Sequence, residues 1–290
     1  MQQESTPAPV RGALFYTTKW LLAGLVGAAI QRSLGPFGSA ANQILFSVLL
    51  AIGFAVYSGD LPLRDVFRLK PLPAGGVVKS LALGVSALAL MQVLGALAVL
   101  LVERTGGQMP QYYNLTGMPF PVALVVLGIL PPICEEIAYR GYLQHTLGPL
   151  GPRAGIVVTA LLFGAVHGSL IRLLPLSLLG LIFGVAVQRT GSLYSAMIIH
   201  LVNNAAVLGL TYYGAGIPSP ATLGVPILLG AGLVLGLLVW MLLRSLGETH
   251  VVAPPVPRLV VPGMVAVLVP ALLIYAYTVA SEIATVFGSR

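Results

Sequence analysis

The chain alternates long apolar stretches with short polar ones, and the apolar stretches show no polar face. The runs lie near 12–30, 41–58, 77–102, 119–138, 153–169, 173–188, 192–212, 222–243 and 259–281. About 20 apolar residues in helical form cross the hydrocarbon core of a bilayer. A helix at the surface of a soluble domain would keep a charged stripe. The pattern predicts an all-α, polytopic transmembrane helical bundle of eight or nine spans. The first run is the weakest, because Lys19 interrupts it and glycine is frequent. As an interfacial helix it would leave eight spans. The runs 153–169 and 173–188 are joined by so few residues that one of them is expected to be short or tilted. Pro/Gly-rich loops at Leu61–Gly76, Ala215–Pro220 and Ala253–Pro257 separate helices, not domains, and no internal repeat is evident. Residues 11–290 therefore read as a single transmembrane domain, and 1–10 as a disordered tail without the basic start of a signal peptide.

Composition agrees. Hydrophobic residues make up 57% and charged residues 8% of the chain, against about 25% charged in soluble domains. The net charge of +7 is unevenly placed. With nine spans, Arg11, Lys19, Arg64, Arg68, Lys70, Lys79, Arg153, Arg189, Arg244 and Arg258 fall on one side. Arg32, Arg104, Arg172 and Arg290 fall on the other. This asymmetry predicts a cytoplasmic N-terminus and basic loops facing anionic headgroups. The bilayer is the expected partner. No loop is long enough to form a basic domain, so nucleic acid is not expected as one. Nothing in the sequence fixes an oligomeric state. The single cysteine, Cys134, excludes an intrachain disulfide and a multi-cysteine metal site. It reads as a small buried apolar residue.

Against this background the polar residues inside the apolar runs carry the information. Glu135 and Glu136 stand side by side in Leu-Gly-Ile-Leu-Pro-Pro-Ile-Cys-Glu-Glu-Ile-Ala-Tyr-Arg-Gly. A charge at that depth costs roughly 2.5–3.5 kcal/mol on lenient insertion scales and marks function by default. Glu136 and Arg140 are four apart and can pair along one helix face, which leaves Glu135 free for other work. Phe163 and His167 are also four apart, as are His200 and Asn204, beside Asn203. At about 1.5 Å of rise per residue, Glu135, His167 and His200 lie roughly 18, 21 and 12 Å from the cytoplasmic ends of their helices. One shared layer is therefore expected. His145 and His250 read as solvated loop residues.

Two chemistries suit such a cluster. A carboxylate and an imidazole can deprotonate a water as it attacks a carbonyl, while a second imidazole and an amide donate to the oxyanion. Alternatively, Glu135, His167 and His200 form a His₂Glu set with room for one zinc ion and its water. The spacing leaves both open, and no His-Glu-x-x-His motif is present.

The three segments together resemble the CPBP family of intramembrane proteases, which includes type II CAAX prenyl endopeptidases and the bacterial Abi, or bacteriocin-processing, proteins. The family pattern Glu-Glu-x-x-x-Arg, Phe-x-x-x-His and His-x-x-x-Asn/Asp reads here as Glu135-Glu136-Ile-Ala-Tyr-Arg140, Phe163-Gly-Ala-Val-His167 and His200-Leu-Val-Asn-Asn204. The resemblance covers about 119–208. It implies an intramembrane endopeptidase acting on membrane-bound or peptide substrates. By it, Glu135 and His167 activate water, His200 and Asn204 stabilise the oxyanion, and Glu136, Arg140 and Phe163 support the motif. It leaves the cofactor open between none, which the Asn204 position favours, and one zinc. The expected location is the bacterial cell membrane, with the N-terminus cytoplasmic. A non-catalytic immunity or scaffold protein of the same fold is the alternative. A proton-coupled transporter is disfavoured, because a relay would string its polar groups across the membrane.

Overall fold

The computed structural model describes residues 6–59, 62–110, 115, 117–214, 223–247 and 260–288. Nine principal helices follow one another along the chain, and no strand occurs among the described residues. They are α1 Ala8–Leu34, α2 Phe37–Ser58, α3 Ala74–Arg104, α4 Phe120–Leu150, α5 Pro152–Ala165, α6 Leu170–Thr190, α7 Leu193–Tyr212, α8 Val225–Ser245 and α9 Val260–Phe287. Eight are long and apolar enough to cross a bilayer, and α5, with 14 residues, is the short one. The protein is an integral membrane bundle of eight candidate spans.

Two expectations change. The first run is not an interfacial helix. It is a 27-residue helix that buries Phe15, Tyr16, Lys19 and Trp20 on its inner side, and it begins at Ala8, inside the stretch expected to be a tail. Lys19 weakened it as a span only because its partner lies on another helix. His145 is not in a loop. It lies within α4, in the segment Gln144–Leu147. His250, Arg258 and Arg290 lie outside the described residues.

The buried core runs through α1, α4, α5, α6 and α7, with Phe15, Tyr139, Tyr142, Phe163, Phe183 and Ile199 at its centre. Helices α8 and α9 pack on the outside and keep broad apolar faces exposed, as lipid-facing helices do. Close approach of α4 and α6 depends on Gly180 and Gly184, where a Cβ would come within 3.0 Å of Arg140 Nη2 and 2.9 Å of Gln144 Oε1. The two donors sit in that space. Arg140 Nη2 donates to Gly180 O at 3.1 Å, and Gln144 Nε2 to Gly184 O at 3.2 Å. Small residues at this spacing allow such backbone-directed contacts between membrane helices.

Arg68, Lys70, Lys79, Arg189 and Arg244 gather at one end of the bundle. Leu193 N donates to Arg68 O and Ser192 Oγ to Lys70 O, which ties the 63–70 turn to the start of α7. Lys79 and Arg189 donate to Ser245 O and Gly247 O at 2.6 and 2.9 Å. These cations satisfy carbonyls that the end of α8 leaves unpaired.

Candidate functional site

The geometry of the site starts with proline. Pro131 and Pro132 open the segment Leu130–Glu136 of α4. Neither has an N–H, so carbonyls one turn earlier lose their helical partners. The helix is π-helical on both sides of this segment, over Leu124–Ile129 and Ile137–Leu143. Such local widening recurs at functional sites. The two adjacent glutamates, about 100° apart around the helix, meet different neighbours.

Glu136 and Arg140 are both fully buried. Arg140 Nη1 donates to Glu136 Oε1 at 2.9 Å. The same oxygen lies 2.8 Å from His200 Nδ1, so the first motif grips the third. Arg140 is also enclosed by rings, with its guanidinium carbon 4.2 Å from the Phe163 centroid and 4.9 Å from that of Phe183. Phe183 in turn stacks on His200, centroids 4.7 Å apart and planes 26° apart. One ion pair thereby fixes the imidazole of α7 against α4 and α6.

Glu135 points to α2 and is half-buried. Its Oε1 accepts from Gln43 Nε2 at 2.8 Å, and Gln43 Oε1 accepts from Ser47 Oγ at 2.9 Å. This chain from α2 holds one carboxylate oxygen.

His167 lies just beyond the end of α5, in the tight turn leading to α6, where Gly168 takes the left-handed conformation. His167 Nδ1 is 2.8 Å from Phe163 O. A carbonyl only accepts, so Nδ1 carries a proton. In the neutral ring the lone pair is then on Nε2. The ring lies within Coulombic range of Glu135 and His200. Phe163 meets both imidazoles edge-on, at 5.2 Å from His167 and 5.9 Å from His200. The turn itself is held from α9. Glu282 accepts from Ser169 Oγ at 2.5 Å and from Leu170 N at 2.7 Å. Asn204 is half-buried on α7, and Asn203 Nδ2 donates to its Oδ1 at 3.4 Å.

The structure therefore joins Glu136, Arg140, Phe163, His167 and His200 into one connected group drawn from three helices and one turn, whereas Glu135, beside them on α4, bonds to Gln43 of α2, and Asn204 to Asn203. His200 pairs with Glu136, not with its helix neighbour Asn204. Lys19 also points into this layer, its Nζ 5.2 Å from the Tyr139 centroid. Gln43, Lys19 and Glu282 were not legible as site neighbours. Each sits in a different helix from the motif it serves, and spacing within one helix reports only that helix's own face.

Each imidazole sets Nδ1 against an oxygen and leaves Nε2 without a protein partner among the described residues. This arrangement suits a proton acceptor and a metal ligand alike. Among the described residues no three His, Cys, Asp or Glu side chains stand close enough to hold a metal ion. Glu135, His167 and His200 do not form a ready ligand set here, with His200 drawn to Glu136 and Glu135 to Gln43.

Residues 117–206 of the 290 match the family described as type II CAAX prenyl endopeptidase Rce1-like. All three motifs fall within that segment. The match supports CAAX-type endopeptidase activity in general. No curated protein and no solved structure matches the chain.

Proposed function

We propose that the protein hydrolyses peptide bonds of membrane-associated or peptide substrates within the bilayer, with water as the nucleophile. The observation that carries this reading is the placement of Glu135 with two Nδ1-anchored imidazoles, His167 on Phe163 O and His200 on Glu136, in the segment that matches the CAAX endopeptidase family.

Glu135 is the base. One oxygen is held by Gln43, which leaves the other to take a proton from water. His167 Nε2 accepts a hydrogen bond from the same water and orients it. As the water oxygen bonds to the substrate carbonyl carbon, negative charge develops on the carbonyl oxygen. Asn204 Nδ2 donates to it. So does His200 Nε2 when the ring carries both protons, with Nδ1–H donating to Glu136. The proton taken by Glu135 then passes to the leaving nitrogen, the C–N bond breaks, and a carboxylate and an amine remain. Glu136 and Arg140 hold His200 and take no proton. The end of the bundle that gathers Arg68, Lys70, Lys79, Arg189 and Arg244 is proposed to be cytoplasmic.

The test is purified protein in proteoliposomes with a panel of membrane-tethered peptides, analysed by mass spectrometry in H₂¹⁸O. The reading expects new termini with one ¹⁸O in the new carboxylate, absent with His167→Ala. An intact panel in the presence of folded protein would contradict it.

A further inference from the structure

Lys19 is an ionic group of the central layer that the mechanism above does not use. It lies on α1, outside the segment matched to the protease family. Eleven residues from the start of the helix place it roughly 16 Å along the axis. Its side chain is not snorkelling to a headgroup, which is the usual fate of a membrane lysine. It is 7% exposed, and its Nζ rests over the Tyr139 ring at 5.2 Å. Tyr139 follows Glu135 by four residues, about one turn further along the same side of α4. Lys19 is within Coulombic range of Glu135 and Cys134, yet it makes no hydrogen bond or ion pair with any described residue. A buried ammonium that makes no ion-pair contact with a described residue demands an electrostatic reason.

The charge count supplies that reason. Glu136 is closed against Arg140 at 2.9 Å. Glu135 receives only a neutral amide from Gln43. While both imidazoles are neutral, the motif, Glu-Glu with one Arg, leaves this layer one negative charge in excess, in the part of the membrane where an unbalanced charge is least tolerated. Lys19 brings the sum to zero.

We propose that Lys19 is the counter-charge of Glu135 and a positioning residue for it, supplied by the first helix. Its distance from the carboxylate exceeds ion-pair contact, so it balances the charge without occupying the oxygen that takes the proton. A cation–π role on Tyr139 alone would make Lys19 indifferent to the state of residue 135, and this separates the two accounts.

The experiment is a thermal double-mutant cycle on the full chain in detergent, with Lys19→Met, Glu135→Gln and the double variant. Each single change leaves an unpaired buried charge and is expected to lower the midpoint. The double variant is expected to recover most of that loss. If Lys19→Met alone fails to fold, recovery of folded protein in the double variant is the same result. Additive losses would overturn the proposal. A second arm rests on the peptidase reading above. Lys19→Met is expected to lower kcat about tenfold or more with little change in KM, and Lys19→Arg to restore part of it. Wild-type kcat in Lys19→Met would also overturn the proposal. A wild-type protein that cleaves nothing would defeat the peptidase reading, and the melting cycle would still decide the role of Lys19.

Discussion

A single methyl group added at Gly180 tests how the site is held together. The Cβ of Gly180→Ala would lie 3.0 Å from Arg140 Nη2, 3.1 Å from Phe163 Cδ1 and 3.2 Å from Ala160 Cα. The first contact has some freedom, but the other two are a core ring and the backbone of α5. Overpacking of this kind costs about 1–3 kcal/mol. At about 2–4 °C per kcal/mol for a chain approaching this size, the midpoint should fall by roughly 2–12 °C. Activity should suffer more than stability. Relief moves α6 from α4, and with it the Gly180 O–Arg140 contact that leads through Glu136 to His200. The assay is thermal melting in detergent beside peptide cleavage, with Gly209→Ala as the control. Nothing lies within 4 Å of a Cβ at Gly209, so there the change should be neutral or slightly stabilising. Equal midpoints and equal turnover for the two variants would refute the proposed coupling of helix approach to site geometry.

Other expectations concern single parts. Arg140→Met leaves Glu136 buried without its cation and should destabilise the protein by about 3–5 kcal/mol, read as the loss of midpoint in detergent. The double variant with Glu136→Met should recover part of it. Asn204→Ala should lower kcat by about a hundredfold or more, the scale of one lost oxyanion donor, with the midpoint nearly unchanged. A strong chelator should leave the cleavage rate unaltered. Stoichiometric zinc in active protein, with reversible loss of activity on chelation, would replace the Glu135 base mechanism with a metal one.

The bundle was legible because membrane helices declare themselves by length and by the lack of a polar face. The three motifs were legible because a charge or imidazole in an apolar run is conspicuous. The pair Glu136–Arg140 followed from i, i+4 spacing and stands at 2.9 Å. What spacing could not supply was which helices meet. His200 was matched with Asn204 because they share a helix, whereas its bonded partner is Glu136 on α4. Lys19 read as a flaw in the first span until α4 was placed beside it. Gln43 was invisible, since one amide in an apolar helix is commonly helix-to-helix glue. The π-helical turns around Pro131 and Pro132 have no periodic signature. His145 looked like a loop residue because α4 was expected to end sooner than Leu150.

The central claim is that Glu135 takes the proton from the attacking water. Glu135→Gln keeps the shape of the side chain and an oxygen for Gln43, and removes the base. In single-turnover cleavage of a membrane-tethered peptide by reconstituted protein, with folding verified by circular dichroism, wild type should release product. Glu135→Gln should release none above the uncatalysed background. Turnover by Glu135→Gln near the wild-type rate would contradict the account.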